Sequence, residues 1–366
     1  MKRFALGALV VLFACPQVGA QDSAFTINGQ LEKTKTGMVY LTIYENDKAV
    51  SDSSVITGGT FKFTGFVPSP SFSVLRMASR PKDNLAFYVE AAKINITGTG
   101  DSLPLLSVHG SAVNDDDKLL KERLKNVTAW EDANSKLFEK AYHDKDKAVM
   151  DSLDQVDLAV LAEKRKVVSQ FVKSYPNSMR SAIAIYENYA YYAEASDVEP
   201  LYNQLTPSVR NSVTGKAIKK MMDTYSLVAI GKTAPEIIET TTDSTPLSLS
   251  SLRGKYVLLD FWASWCGPCR RENPRIVDAY NLFKDKGFTI YAVSYDTKKE
   301  KWKKAIKDDQ LAWYQVSDLQ GWQNSTSDQY GIKAIPANFL LDKDGKIIAK
   351  NIFGDALKSK LKELME

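Results

Sequence analysis

Two cysteines separated by two residues limit what this chain can fold into more than any other feature. The pair, Cys266 and Cys269, follows an apolar run over residues 256–263 that predicts a buried central strand. Residues 270–286 then predict a helix, so Cys266 is expected at a helix N-terminus. Unpaired backbone N–H groups and the helix dipole stabilise a thiolate at such a position. Cys269 lies one turn further on, near enough to attack a mixed disulfide on Cys266.

Two other uses of a cysteine pair have less support. A structural zinc site needs four ligands, whereas the two histidines, His109 and His143, lie far from the pair in sequence. A disulfide that closes so short a loop constrains the unfolded chain little. We therefore predict a dithiol redox site with Cys266 as nucleophile and Cys269 as resolving cysteine. The prediction includes no metal and no cofactor beyond the reversible disulfide of the pair.

The residues around the pair resemble the active site of thioredoxin. Residues 260–269 read Asp-Phe-Trp-Ala-Ser-Trp-Cys-Gly-Pro-Cys, which is nearly the thioredoxin sequence letter for letter. Ile335 and Pro336 resemble the isoleucine and cis-proline that face the dithiol in that fold. Gly354 resembles the glycine of the loop before the last helix. The resemblance covers residues 229–366, and it implies an α/β thioredoxin fold and a thiol–disulfide oxidoreductase.

Within that superfamily the chain most resembles the exported TlpA/ResA branch. The hairpin predicted over residues 231–255 and the long segment between Asp296 and Ile335 are similar to features of that branch. Glu272 matches a glutamate that the branch places beside the dithiol. The resemblance implies disulfide-containing client proteins and a membrane electron donor. Ala292 or a neighbour stands where thioredoxin has a lysine near its buried aspartate, so proton transfer through an Asp–Lys pair is not expected.

Two acidic residues near the dithiol each have a functional and a structural interpretation. Asp260 lies within an apolar strand, where burial raises the pKa of a carboxyl, and we predict that it accepts the proton of Cys269. The alternative is an aspartate that caps the strand end through backbone hydrogen bonds. Glu272 either handles protons as well or complements the dipole in the first turn of its helix.

The resemblance also implies an apolar surface on which clients dock. A cis X-Pro bond is rare, and here it would leave backbone groups free to pair with a bound peptide. The Gly-Pro pair between the cysteines is that of thioredoxin, which favours a reductase over an oxidase. The implied docking residues are Trp265, Gly267, Pro268, Ile335, Pro336 and Gly354.

Two rival functions remain open at this point. A thiol peroxidase of the same fold usually has the pattern Pro-x-x-x-Thr-x-x-Cys, but Leu259 and Ala263 occupy the proline and threonine positions. A non-enzymatic binding or adaptor protein would use the N-terminal part for recognition and keep a vestigial redox domain. The intact dithiol argues against that second rival.

The first twenty residues predict a secretory signal peptide. A basic start precedes an apolar run over residues 4–14, and small residues precede a cleavage site after Ala20. The alternative is a lipoprotein signal ending at Cys15, which would anchor the chain to a membrane through a lipid. Either signal predicts an exported, periplasmic protein. The formal net charge is +4 without a concentrated basic tract, so nucleic acid is not an expected partner.

The remaining sequence predicts two regions before the redox domain at 229–366. Residues 21–113 alternate apolar and polar positions between turn signals, which indicates a small antiparallel β-sandwich. This part resembles the β-domain of unknown function that often precedes TlpA-like domains in Bacteroidetes. Residues 114–228 predict a helical region that begins with an acidic linker over 114–117. Tyrosines 186, 189, 191 and 192 are expected to pack in its core or between helices.

Overall fold

A computed structural model describes residues 24–45, 48–144 and 146–365. The predicted signal peptide and Cys15 lie outside these residues. The chain forms two compact units that are divided in sequence between Asp115 and Asp116. The second unit holds both the predicted helical region and the predicted redox domain.

Alternating apolar residues build the first unit as an eight-stranded sheet. Ile27, Val39 and Ile94 are fully buried on its inner face, as expected for strands with one face on a core. The order of the strands across the sheet is β6-β5-β2-β3-β4-β1-β7-β8. The strands are β1 (Ala24–Leu31), β2 (Thr36–Glu45), β3 (Lys48–Thr57), β4 (Thr60–Phe66), β5 (Ser71–Met77), β6 (Arg80–Val89), β7 (Lys93–Gly98) and β8 (Ser107–His109).

The first unit is the predicted β domain, with two differences in detail. Hydrogen bonds join all eight strands into one continuous sheet. Neighbouring strands run antiparallel except β1 and β7, which are parallel, with Ile27 opposite Ile94. A parallel pair needs a long crossover connection, and strands β2 to β6 supply it here.

Six helices form the first part of the second unit. Side chains cap the N-termini of three of them: Asp146 accepts from Val149 N, Ser178 from Arg180 N, and Ser212 from Gly215 N. Their apolar faces meet in a core that includes Val168, Phe171, Ile185 and Leu201. The helices are α1 (Ala112–Asp144), α2 (Lys147–Ser174), α3 (Met179–Tyr189), α4 (Ala195–Gln204), α5 (Pro207–Arg210) and α6 (Val213–Leu227).

The prediction of an acidic linker over residues 114–117 is wrong, because these residues belong to helix α1. Acidic side chains are favourable in the first turn of a helix, where they complement its dipole. Asp117 is 5% exposed, and its carboxylate accepts from Arg180 Nε at 2.8 Å. The Arg180 guanidinium also pairs with Glu187 at 2.9 Å. Asp117 thus joins α1 to α3 through a buried ion pair.

Replacing Asp117 by asparagine should destabilise the second unit by on the order of 3 kcal/mol, because it removes one partner of a buried ion pair. The measurement is the free energy of unfolding from urea titration at pH 7. The matched control is Asp115→Asn, which changes an exposed aspartate on the same helix and should cost under about 1 kcal/mol. Equal losses in the two variants would contradict a structural role for the pair.

The redox domain is a five-stranded sheet with helices. Its central strands are continuous apolar runs, as expected for strands covered on both faces, and β12 is buried along its whole length. The order is β13-β12-β11-β14-β15, and β11 pairs parallel with β12 and antiparallel with β14. The sheet contains β11 (Tyr256–Trp262), β12 (Phe288–Ser294), β13 (Tyr314–Val316), β14 (Ala337–Leu341) and β15 (Ile347–Lys350).

A short hairpin precedes this sheet and four helices accompany it, which completes the predicted thioredoxin fold. The predicted hairpin is present as β9 (Ile238–Thr240) and β10 (Pro246–Ser248). No helix among the residues described above is both long and apolar enough to cross a membrane. The helices are α7 (Gly267–Phe283), α8 (Lys299–Asp308), α9 (Ser325–Gln329) and α10 (Gly354–Met365).

Candidate active site

The dithiol lies where the chain leaves the central strand and enters helix α7. Cys266 is the N-cap of that helix, and its sulfur accepts a hydrogen bond from Cys269 N at 3.2 Å. Helix α7 therefore begins at Gly267, three residues before the predicted start, because Cys266 itself caps it. Pro268 falls in the first turn, where the missing N–H leaves no helical hydrogen bond unmade.

The two cysteines are joined in the structure, which therefore describes the oxidised form. The S–S distance is 2.07 Å and the two Cα atoms are 5.3 Å apart. Cys266 is 4% exposed and Cys269 is 2% exposed. The Cys266 sulfur lies 3.6 Å from Ile335 O, and the Ile335–Pro336 peptide bond is cis, as the resemblance implied.

Asp260 is a buried carboxyl on the central strand. It is 3% exposed, and burial, followed by the charge of Glu272, raises its pKa to about 7. Its direct neighbour on β12 is Ala292, which is also buried. The methyl group of Ala292 cannot stabilise the carboxylate. The raised pKa of Asp260 therefore follows from burial and from the charge of Glu272.

Glu272 lies one turn beyond Cys269 on helix α7 and is 7% exposed. Its carboxylate accepts from Gly354 N at 2.5 Å and from Arg275 Nη1 at 3.3 Å. Burial raises the pKa of Glu272, and these two contacts partly offset that rise. Because α7 starts at Gly267, Glu272 lies outside the first turn, which weakens its interpretation as a dipole complement.

Gly354 contacts Glu272 through its backbone. Its φ is +55°, and a Cβ there would lie 3.4 Å from Arg275 Nη1. A side chain at this position would touch the arginine that holds Glu272 without clashing, and the positive φ is what favours glycine here. The resemblance implied that Gly354 is a docking residue, and the structure also links its backbone N–H to the buried Glu272.

The surface beside Cys266 is aromatic and exposed. The ring of Trp265 is 54% exposed, and its Nε1 donates to Tyr295 O at 3.2 Å. Trp322 stands next to it with ring centroids 6.3 Å apart and is 45% exposed. Of the other predicted docking residues, Gly267 and Pro268 are exposed, whereas Ile335, Pro336 and Gly354 are half-buried.

Sequence reasoning missed several residues that shape this site. Asp296 is 1% exposed and accepts from Ser264 N at 2.8 Å, which fixes the turn before Cys266. Asp309 accepts from Arg270 Nη2 and Asn273 Nδ2, each at 2.7 Å, and so anchors α7. Asp296 directly follows a buried strand, and that position was a usable signal. Trp322 and Asp309 lie in polar segments without any such signal.

The tyrosine prediction is right for Tyr189 and wrong for two of its neighbours. Tyr189 is 6% exposed within the helical core, whereas Tyr191 and Tyr192 are 42% and 41% exposed. Helix α3 ends at Tyr189, so the later tyrosines leave the helical spacing on which the prediction depended. In the described parts of the chain, no group of three His, Cys, Asp or Glu side chains is placed to hold a metal ion.

Comparison with known proteins agrees with this geometry. The AhpC/TSA family pattern matches residues 230–350, and a domain of unknown function, DUF4369, matches residues 25–116. The thiol-disulfide oxidoreductase ResA of Bacillus thuringiensis subsp. konkukian is 35% identical over 137 residues, which are 37% of this chain and 77% of that protein. The ResA of Geobacillus thermodenitrificans is 34% identical over 139 residues, which are 38% of this chain and 78% of that protein.

Solved structures of similar sequence are also oxidoreductases. The thioredoxin domain of a thiol-disulfide oxidoreductase from Bacteroides vulgatus is 41% identical and covers 38% of this chain and 99% of that domain, with a TM-score of 0.36. A thiol-disulfide oxidoreductase from Bacteroides fragilis is 41% identical and covers 36% of this chain and 99% of that one, with a TM-score of 0.35.

Fold, site and relatives together define an enzyme of thiol–disulfide exchange with a thioredoxin fold. In its C-terminal part the chain belongs to the ResA family of thiol-disulfide oxidoreductases. The predicted resemblance to the TlpA/ResA type is confirmed, and so is the N-terminal β-domain of unknown function. Substrates that contain disulfides follow from the family.

Replacing Asp260 by asparagine should make the oxidised protein more stable at pH 8 by on the order of 3 kcal/mol. The folded pKa of about 7 lies above the ordinary aspartate value of 3.8, so the folded state binds the proton more tightly than the unfolded state does. Asp260 therefore makes stability fall as pH rises from about 4 to 7, and the variant should lack this part of the fall. The part that comes from Glu239, whose pKa burial also raises to about 7, should remain. Urea titrations at pH 4 and pH 8 measure the fall.

The control for this prediction is Asp285→Asn, an exposed aspartate of the same domain. It should leave the difference between pH 4 and pH 8 unchanged. An Asp260→Asn variant with the same difference between pH 4 and pH 8 as the wild type would show that Asp260 titrates normally.

Proposed function

We propose that this chain is an exported reductase of protein disulfides that works through Cys266 and Cys269. The observation that supports it is a buried pair of cysteines at a helix N-terminus, in a domain that also buries the acids Asp260 and Glu272. The Gly267-Pro268 pair resembles that of thioredoxin, whose potential is about −270 mV, whereas strongly oxidising relatives lie near −120 mV. Export is proposed from the predicted signal peptide. Cleavage after Ala20 would release a soluble protein, and a lipid on Cys15 would anchor the same protein to a membrane.

The first step is attack of the Cys266 thiolate on a client disulfide. The N–H of Cys269 and the dipole of α7 favour the thiolate at this position. A bond forms between Cys266 and one client sulfur, the client disulfide breaks, and the other client sulfur leaves as a thiolate that takes a proton. Trp265, Ile335 and Pro336 provide the surface against which the client lies.

The second step releases the client. The Cys269 thiolate attacks Cys266 Sγ, which forms the internal disulfide and expels the second client thiolate. Asp260 takes the proton of Cys269, since its pKa of about 7 is close enough to the pKa of a thiol for the two groups to exchange a proton readily. In sum the client gains two electrons and two protons, and the cysteine pair loses them.

A third step restores the dithiol. Two electrons and two protons must return to the Cys266–Cys269 disulfide after each turnover. We propose a membrane electron donor, because an exported reductase is separated from the cytosolic thiol pool. No further cofactor is part of this scheme, since the exchange moves electrons between sulfur atoms alone.

Insulin reduction with dithiothreitol as donor tests the reductase. Wild-type protein should accelerate it above dithiothreitol alone, and Cys266→Ser should lose at least a hundredfold of that rate because no nucleophile remains. Cys269→Ser should accumulate mixed disulfides with clients, seen as reducible bands on gels, because nothing resolves them. An inactive wild type, or a potential near −120 mV in glutathione buffers, would reject the reductase assignment.

Replacing Glu272 by glutamine should extend insulin reduction to lower pH. The charge of Glu272 contributes to the raised pKa of Asp260, so its removal lets Asp260 stay ionised at lower pH. The acidic limb of the rate profile should therefore shift to lower pH. Glutamine keeps an oxygen that accepts from Gly354 N, which preserves the local fold.

The matched control is Glu300→Gln, an exposed glutamate in the first turn of α8. Its pH profile should coincide with that of the wild type. A Glu272→Gln profile that also coincides, or that moves to higher pH, would show that Glu272 has no influence on the proton acceptor.

A further inference from the structure

A loop of the helical region lies against the Ile335–Pro336 turn of the redox site. It runs over residues 190–194, between α3 and α4, and we call it the tyrosine loop. The hydroxyl of Tyr192 donates to Pro336 O at 3.3 Å. Glu194 pairs with Lys350 of β15 at 2.7 Å, and the Lys350 side chain is only 8% exposed. The tyrosine loop is thus tied to the redox domain at two points, one of them beside the dithiol.

Arg165 of helix α2 holds the tyrosine loop from behind. Its Nε donates to Asn188 O at 3.0 Å, and its two terminal nitrogens donate to Tyr191 O at 2.5 Å and Tyr192 O at 3.3 Å. The guanidinium also lies 4.8 Å from the centre of the Tyr189 ring. A planar cation with several donors suits the free carbonyls at a helix C-terminus. Three hydrogen bonds from Arg165 therefore fix the conformation of the tyrosine loop.

Tyr192 has a strained backbone conformation within this loop. Its φ is +48°, in the left-handed region that a residue with a Cβ avoids. Such conformations persist where the surrounding contacts determine them, and they gather at binding sites. Here the carbonyl of Tyr192 is held by Arg165 and its hydroxyl is held by Pro336. The strain directs this one side chain onto the turn.

The contact of Tyr192 lies one residue from the contact of the nucleophile. Cys266 Sγ is 3.6 Å from Ile335 O, and the next carbonyl, Pro336 O, accepts the Tyr192 hydroxyl. Burial and the charge of Asp154 raise the pKa of Tyr192, so the hydroxyl remains a donor at neutral pH. Because the two carbonyls belong to successive residues, a restraint on the second also restrains the first relative to the sulfur.

The helical region approaches the same segment closely at a second place. Gly331 has φ +68°, and a Cβ there would lie 3.0 Å from Cε1 of Tyr225 on helix α6. The hydroxyl of Tyr225 in turn donates to Tyr189 O at 3.0 Å. Gly331, in the segment that leads into the turn, therefore packs so closely on helix α6 that a side chain there would crowd Tyr225.

Building on the proposed function, we propose that Tyr192 is a positioning residue for client binding. It holds the Ile335–Pro336 turn in the orientation in which the backbone of Ile335 pairs with an extended segment of a disulfide-containing client. Without the hydroxyl the turn must be ordered by the client itself, and binding weakens. The helical region thereby contributes to client affinity, while the cysteines that react lie elsewhere in the chain.

Tyr192→Phe is the test, because it removes one hydroxyl and keeps the ring. We expect the KM for insulin to rise about fivefold, as for the loss of one neutral hydrogen bond, with kcat within twofold of wild type. Reduction of the small disulfide DTNB needs no peptide docking and should fall by less than twofold. Arg165→Lys keeps the charge but loses the planar fork, and it should raise the KM for insulin in the same way.

The control is Tyr191→Phe, a neighbouring tyrosine of nearly equal exposure, which should leave both reactions unchanged. Equal effects of Tyr191→Phe and Tyr192→Phe on insulin would overturn the proposal. So would a Tyr192→Phe variant that loses insulin and DTNB reduction in equal proportion, since that result means damage to the dithiol or the fold. A wild-type protein that fails to reduce insulin would instead overturn the proposed function, and this inference with it.

Discussion

The position of the first residue of helix α7 controls the chemistry of this enzyme. Cys266 caps the helix with its sulfur, which accepts a backbone N–H, and this contact would stabilise the thiolate of the proposed reaction. Asp296 holds Ser264 in the preceding turn, and Asp309 holds Arg270 and Asn273 in the helix that follows. These contacts matter because an N-cap sulfur displaced by one residue would lose both the N–H and the dipole.

The two buried acids support the proposed proton transfer, and their burial disfavours the folded state when they are ionised. Asp260 is buried in an apolar strand, and its carboxylate form is disfavoured there. Glu272 adds a second negative charge, which Arg275 and Gly354 N partly stabilise. Arg275 also pairs with Asp151 of helix α2. Arg275 therefore joins Glu272 to an acidic side chain of the helical region.

The sequence predicted the central strand and the helix on either side of the cysteine pair well, because both depend on local rules. A continuous apolar run, a pair of cysteines and a helix signal specify the strand, the cap and the helix without any distant contact. The contact between Gly354 N and Glu272 could not be predicted in this way, since the two residues are far apart in sequence and meet only when α10 packs on α7. The same limit applies to Trp322, which lies in a polar segment.

The prediction of an acidic linker over residues 114–117 was wrong for a related reason. Charged residues usually indicate solvent, but Asp117 is buried because Arg180 supplies a partner from another helix. Tyr191 and Tyr192 were predicted to be packed but are partly exposed, because helix α3 ends before them. In each case a tertiary contact or a helix end, and not the local composition, decided where the side chain lies.

Most of the helical region lies between the two family patterns, which match residues 25–116 and 230–350. This region contacts both halves of the redox site. Arg271 of α7 stacks on Phe138 at 4.7 Å and lies 3.8 Å from Asp154, and Tyr192 contacts the turn across from the cysteines. Because the helical region contacts both helix α7 and the Ile335–Pro336 turn, we expect changes in it to alter client binding in the proposed reaction without altering either cysteine.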